Sequence, residues 1–592
     1  MVNAAMRRQG LRRLGAVASA VLLAASGLWA GEVDVEVDVA RDQDPRTERP
    51  STVTVFPPKL KPLWLEALRG PEADLRRQAA QTIALAQARG MPDLADTAGP
   101  LQQTLDASDE HPVVVLATAQ ALIALDARQA APRLFEHAMH DGLEMAQLVE
   151  PALARWDFQP IRKVWLDRLS TPEAPRRLLV LAIRGLCAVG EVNAEPRLRE
   201  LALARNVPSD LRLEAARALG GLRTEGLEDD ARKLAADKSA SAIVDRLVGA
   251  SLVRRHRGEA AEALLVEMAV DGEPSVAAIA LRRLLEIDPV LVLPVAGQAV
   301  ASDDANVRRL GAESLVAWRT PEAIEQLGPM LDDPHPDVRK YVRRSLLAMA
   351  ADERLTEPVI RVAVAMLSTD RWRGLEQATL ALVALDQKPA VDRLVELLEF
   401  ERPEVFVTAA WGLRRLAVPS TLDAMFDKAR RETERTRARG AAEYDVERQI
   451  SQLFEAFGQM GYAPSEPLLR EYVPKAVPFG ELTRSAAIWA LGHLHAGKPE
   501  PELAKLLVGR LSDLNPLFPE CEAVRQMSAV SLGRMHADDS LPTLRRFMRN
   551  ETVGSPVGYA SAWAIHQITG EPIPEVTTTR VPRLGWFLEP ID

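Results

Sequence analysis

One local pattern returns along this chain at a spacing that leaves few folds open. An aliphatic residue is followed eight positions later by another at Leu75/Ile83, Leu211/Leu219, Val244/Leu252, Val276/Leu284, Val307/Leu315, Val338/Leu346, Val405/Leu413, Val524/Leu532 and Val557/Ile565. From Leu211 to Val338 the steps are 33, 32, 31 and 31 residues, and the next, to Val405, is 67, or two units. Degraded copies sit near Val113, Arg176, Trp372 and Thr483. Each copy lies in a Leu/Ala-rich stretch of helical period, bounded by Pro, Asp or Gly. One helix pair cannot bury its apolar stripe alone, so each copy must lean on the next. The pattern predicts an all-α chain, a right-handed α-solenoid of about fourteen helix pairs over residues 63–570. A flat bundle is disfavoured, because so many similar units have no way to close one shared core.

The best-preserved copies carry an Asp/Pro turn followed by a V-R-x-x-A-A-x-A-L frame: Asp333 with Val338-Arg339, Asp304 with Val307-Arg308, and Leu211-Arg212 with Ala215, Ala216 and Leu219. At these residues the chain resembles the HEAT-repeat family, in the short bacterial form also seen in phycobilisome-lyase-like repeats. The resemblance implies that the turn Asp and the following Arg bond between neighbouring repeats. It makes Arg212, Arg308 and Arg339 scaffold, and it says almost nothing about activity. The Trp, Leu-Gly, Tyr pattern of a tetratricopeptide helix is missing.

The ends read differently. Residues 1–30 hold Arg7, Arg8, Arg12 and Arg13, then an apolar run from Leu14 to Leu23, then small residues to Ala30. That order is a secretory signal peptide, which predicts a periplasmic or extracellular protein with no transmembrane segment in the mature chain. Its removal takes the formal charge from -10 to -14. An acidic exported chain is a poor candidate for nucleic acid. The 62 Arg against 11 Lys, in an Ala-rich chain, is associated with a GC-rich bacterial source. Residues 31–62 form an acidic, Pro-containing leader, in which Val33, Val35, Val37 and Val39 alternate with Glu32, Asp34, Glu36 and Asp38. It is read as a mostly disordered tether. Residues 571–592 form a tail with Trp586 and Phe587 that could fold back as a cap over the last repeats. Residues 427–448 are a charged helical insertion, with Arg430, Arg431, Arg435, Arg437 and Arg439 on an exposed helix.

A search for chemistry yields little. Gly492 to Lys498 has phosphate-loop spacing, but a helix precedes it and Pro499 stands where a hydroxyl is needed. His137/His140 and His493/His495 do not supply the three or four converging ligands of a zinc site. Cys187 and Cys521 lie about ten repeats apart, too far for a disulfide. No catalytic residue, cofactor or metal is expected, and the chain is read as a non-enzyme.

One helical position breaks its own pattern. Counting the Leu211-type residue as zero, positions 0, 4, 7, 8 and 11 of the second helix share one face, and position 6 points away from it. In the first half that position holds Gln81, Arg217, Arg282, Glu313 and Arg344, with Arg184 by looser alignment. In the second half it holds Trp411, Trp489 and Trp563, each with a helical neighbour suited to recognition: Arg415, His493 and Tyr559. Recurrent outward tryptophan marks a contact surface. The family resemblance places second helices along the concave face, so Trp411, Arg415, Trp489, His493, Tyr559, Trp563, Arg217, Arg282 and Arg344 are candidate partner-binding residues for a protein or peptide. The competing reading makes the three indoles cap core, and burial of all three by their own chain would exclude the groove. Three function classes follow: a binding scaffold, an accessory or lyase-like module of an enzyme, and a structural envelope component.

Overall fold

The structure is a computed structural model that describes residues 36–46, 52–107, 109–171, 173–475, 478–550, 555–574 and 579–589. The signal-peptide reading falls outside the described residues. The chain divides into two compact units. One takes Met1–Thr47 with Arg319–Pro572, and the other Glu48–Trp318 with Ile573–Asp592. We call them the leader-bearing and the tail-bearing unit.

Both are built from antiparallel helix pairs, thirty α-helices among the described residues, so fifteen pairs where the repeat count suggested about fourteen. Local sequence sets the helix starts. Pro occupies the first turn of second helices at Pro112, Pro274, Pro336, Pro403 and Pro556, where its missing N–H costs nothing. Asp304 Oδ1 accepts from the backbone N–H of Asn306 and Val307 at 2.9 and 3.0 Å, satisfying donors that a helix start leaves open.

The predicted stripe is the buried one. Val338, Val342, Ser345, Leu346 and Met349 are all buried along Pro336–Met349, and Val405, Ala409, Gly412, Leu413 and Leu416 along Pro403–Leu416. Arginines tie neighbouring repeats, as the family resemblance implied. Arg76 meets Glu110 at 2.7 Å, Arg212 meets Asp245 at 2.6 Å and Arg484 meets Glu520 at 2.7 Å. Arg308 and Arg339 also bond to carbonyls of their own turns, at 2.9 Å to Ser302 and 3.3 Å to Asp333, and Arg339 lies over the Trp372 ring of the following repeat, 5.9 Å from its centroid.

In the tail-bearing unit, Thr579–Pro582 pairs in parallel with Thr52–Val55, and Trp586 packs on Trp64 and Phe56 with ring centroids 5.7 Å apart in each case. Trp64 Nε1 donates to the Phe587 carbonyl at 2.8 Å. Residues 579–589 of the tail therefore cap the first helix pair, Leu60–Ala67 and Ala73–Ala88, where a cap over the last repeats was expected. The reason is chemical: the first pair offers a tryptophan and an unpaired strand, and the tail supplies the matching ring and edge.

In the leader-bearing unit the charged insertion is one long helix pair, Leu422–Arg439 and Tyr444–Gln459. It is no free arm. Lys428, Glu432, Thr433 and Thr436 are buried, and the five arginines pair with acids: Arg430 with Asp427, Arg431 with Glu399, Arg435 with Glu432, Arg437 with Glu471 and Arg439 with Glu443.

Candidate functional site

The site lies on the second helices of the leader-bearing unit: Pro403–Leu416, Tyr444–Gln459, Glu481–Leu494 and Glu522–Arg534. Glycine lets these helices approach closely. A Cβ at Gly458 would sit 2.7 Å from Ala490 Cα, and one at Gly533 would sit 2.5 Å from Ala564 Cα. Trp489 and Trp563 lie against those glycines, so position 6 is folded in over its neighbour.

The exposure expected for that position is corrected here. Trp411 is 2 % and Trp489 0 % exposed, while Trp563 is half-buried. Residues 38–44 of the leader run across these helices, in the place where a disordered tether was expected. Trp411 Nε1 donates to Asp38 Oδ1 at 2.5 Å, and Arg414 Nη2 donates to the same oxygen at 3.0 Å and to the Asp38 carbonyl at 2.9 Å. Gln452 Nε2 also donates to that carbonyl, at 2.9 Å. The Ala40 N–H and Arg41 Nη1 donate to the two oxygens of Glu455 at 2.8 and 2.6 Å. Further along, Trp489 Nε1 donates to the Asp44 carbonyl at 2.7 Å. The Asp44 carboxylate meets His493 Nε2 and Arg534 Nη2, each at 2.9 Å. Arg534 also lies over the Trp489 and Trp563 rings, 5.6 and 5.8 Å from their centroids.

The electrostatics fit a gripped acidic segment. Burial opposes ionisation of Asp38, but the Trp411 hydrogen bond and the Arg414 charge outweigh it and hold the carboxyl below its ordinary value. The His493 hydrogen bond, with Arg534, does the same for Asp44. Glu455 is fully buried, and desolvation pushes its carboxyl up against the pull of Arg41 and Arg414. An apolar-lined ion cluster of this kind holds position by mutual pairing, because any member left alone would be strongly disfavoured.

The nine sequence candidates do not form one groove. Trp411, Trp489 and His493 bind the leader; Trp563 and half-buried Tyr559 continue that face; Arg415 is exposed beside it, and Arg344 is half-buried earlier in the same unit. Arg217 and Arg282 belong to the tail-bearing unit and are exposed. The partners that were missed are Arg414, Gln452, Glu455 and Arg534, with Asp38, Ala40, Arg41 and Asp44 in the leader. A signal existed. Counted from Val405, Val446, Thr483 and Val524, positions 9 and 10 hold Arg414, Glu455, His493 and Arg534, one turn beyond position 6, where Gln452 also falls.

His495 pairs with Glu466 at 3.0 Å and His137 with Asp141 at 2.7 Å, and both cysteines are free. Among the described residues no group of three or more His, Cys, Asp or Glu could hold a metal, and no helix is long and apolar enough to cross a membrane.

Paired helices with inter-repeat arginine bonds define an all-α, solenoid-type repeat protein. Residues 261–348 match the family of HEAT repeats, so this stretch of the chain is built of HEAT repeats. No curated protein matches it in sequence. Among solved structures it is similar to Kap95p, known from a study of the switch loops of RanGDP, at 12 % identity and a TM-score of 0.51, covering 86 % of this chain and 72 % of that one. Kap121p bound to Pho4p follows at 11 % identity and a TM-score of 0.47, covering 86 % and 57 %. A second structure of Kap95p, yeast importin-beta, gives 13 % and 0.41, covering 86 % and 72 %. At such identities the first likeness concerns the fold alone.

Proposed function

We propose that the protein is an exported, non-catalytic scaffold that binds an extended peptide or protein segment along the second helices of its leader-bearing unit. The observation that carries this is the leader itself. The face already holds a peptide, through indole N–H groups to a carboxylate and a carbonyl and through guanidinium and imidazole groups to two aspartates six residues apart. This is how a groove reads an extended chain: main-chain contacts hold it, and spaced side chains set register. The leader is then a resident ligand whose tether gives it an advantage of effective concentration over any free competitor. The test uses protein lacking residues 1–47 and a labelled peptide of residues 36–46, followed by fluorescence anisotropy. Saturable uptake that is lost in Trp489→Ala supports the reading.

A second reading, the leader as a permanent structural clasp, is favoured by one observation, the complete burial of Glu455. It predicts that the shortened protein loses its cooperative unfolding transition and takes up no peptide.

A further inference from the structure

The positions that grip the leader recur in the tail-bearing unit with different side chains. There, the second helices Ser209–Leu222, Ile243–Leu252 and Pro274–Ile287 surround a cavity of about 260 Å³. Counted from Leu211, Val244 and Val276, position 6 supplies Arg217 and Arg282, and position 10 supplies Arg254 and Glu286. In the other unit, positions 6 and 10 hold Trp411, Trp489, His493 and Arg534, all bonded to the leader. The tail-bearing unit thus presents arginine where its counterpart presents indole and imidazole.

The local charge is unbalanced. Glu286 is taken by Arg283 at 2.9 Å, and Arg283 is itself anchored to the carbonyls of His256 and Arg255 at 2.8 and 3.1 Å. Arg217 reaches Glu214 only at 3.6 Å, and that carboxylate is already held by Arg184 at 2.6 Å. Among the described residues, Arg254 and Arg282 have no carboxylate partner, and with Arg217 they stand exposed around the cavity. Three guanidinium groups that close repel one another, and anionic groups between them relieve that repulsion while accepting forked hydrogen bonds.

We infer that this cavity is a second binding site, specific for the carboxylates of an acidic polypeptide segment, with Arg217, Arg254 and Arg282 as its ligand-binding residues. Charge complementarity selects the class, and the leader contacts show what these helix positions do with aspartate. The site lies in a different unit from the leader groove and stands whether or not the leader is displaceable.

The experiment uses the full chain with its leader in place and a fluorescein-labelled hexaglutamate peptide, titrated by anisotropy at low salt. Hydrogen bonds to charged groups are worth about 1.5–3 kcal/mol, so Arg254→Gln and Arg282→Gln should each weaken binding about tenfold or more. Arg232→Gln, an exposed change on the helix Glu228–Ala235 outside the cavity, should leave it unaltered. Absence of peptide binding, or equal losses in Arg232→Gln and Arg282→Gln, overturns the site. Inorganic phosphate binding as tightly as the peptide, at the same arginines, overturns the polypeptide assignment in favour of a free anion. Failure of leader-peptide uptake in the shortened protein would count against the proposed function only.

Discussion

The pair between Arg41 of the leader and Glu455 of the groove is the sharpest place to test how the leader is held. The two side chains are 6 % and 0 % exposed and 2.6 Å apart. Glu455 receives a second bond from the Ala40 N–H at 2.8 Å, and Arg414 Nε stands 3.6 Å from it. Changing Arg41 to Ala leaves a buried carboxylate with one distant guanidinium. Truncating one member of a buried, hydrogen-bonded ion pair costs about 2–5 kcal/mol, which is roughly 30-fold or more in affinity. The assay is peptide binding in trans: residues 36–46, native or Arg41→Ala, against shortened protein with Glu455 or with Glu455→Gln. Both single changes should weaken binding, and the double change should add little, for a coupling energy above about 1.5 kcal/mol. Asp42 is exposed one residue away, and Asp42→Ala should cost less than about 0.5 kcal/mol. The reasoning is refuted if Arg41→Ala behaves like Asp42→Ala, or if the cycle shows no coupling.

Two further outcomes follow from the same face. Asp38 and Asp44 are held below their ordinary value of 3.8, so their contribution to leader binding is fully present above about pH 3.9 and fades as pH falls through the lowered values of the bound state. The Asp44→Asn peptide, which lacks one of these carboxylates, should therefore lose less affinity than the native peptide as pH falls from about 5 to 3. Adding a methyl group at Gly458 or Gly533 would press a Cβ to 2.7 or 2.5 Å of a neighbouring Cα; each alanine variant should lose about 1–3 kcal/mol in denaturant unfolding, and an unchanged midpoint would contradict the packing argument.

The groove was half legible in the sequence because only half of its logic is periodic. Trp411, Trp489 and Trp563 stood out at a position that helical geometry points away from the stripe, and His493 was noticed one turn on. The error lay in equating that direction with solvent. In Pro403–Leu416 and Glu481–Leu494 ten of the fourteen residues are buried in each, which happens when a helix is covered on more than one side. The continuous apolar and small-residue run from Ser485 to Gly492 was the available sign. The leader was misread for a related reason: acidic residues, Pro and no partner in the local sequence describe a tether well. Nothing near Asp38 or Asp44 announces that Arg414 and Arg534 wait several hundred residues away.

The repeat, its helical period, the buried stripe and the HEAT character belong to the sequence alone, because each depends on residues within one or two turns or on the next copy. Which segment covers which face was decided only in three dimensions. The tail met Trp64 of the first helix pair and Phe56 beside the strand Thr52–Val55, and the leader met the tryptophans of its own unit. Such contacts join residues hundreds of positions apart, and their energy comes from burial and ion pairing that no local period records.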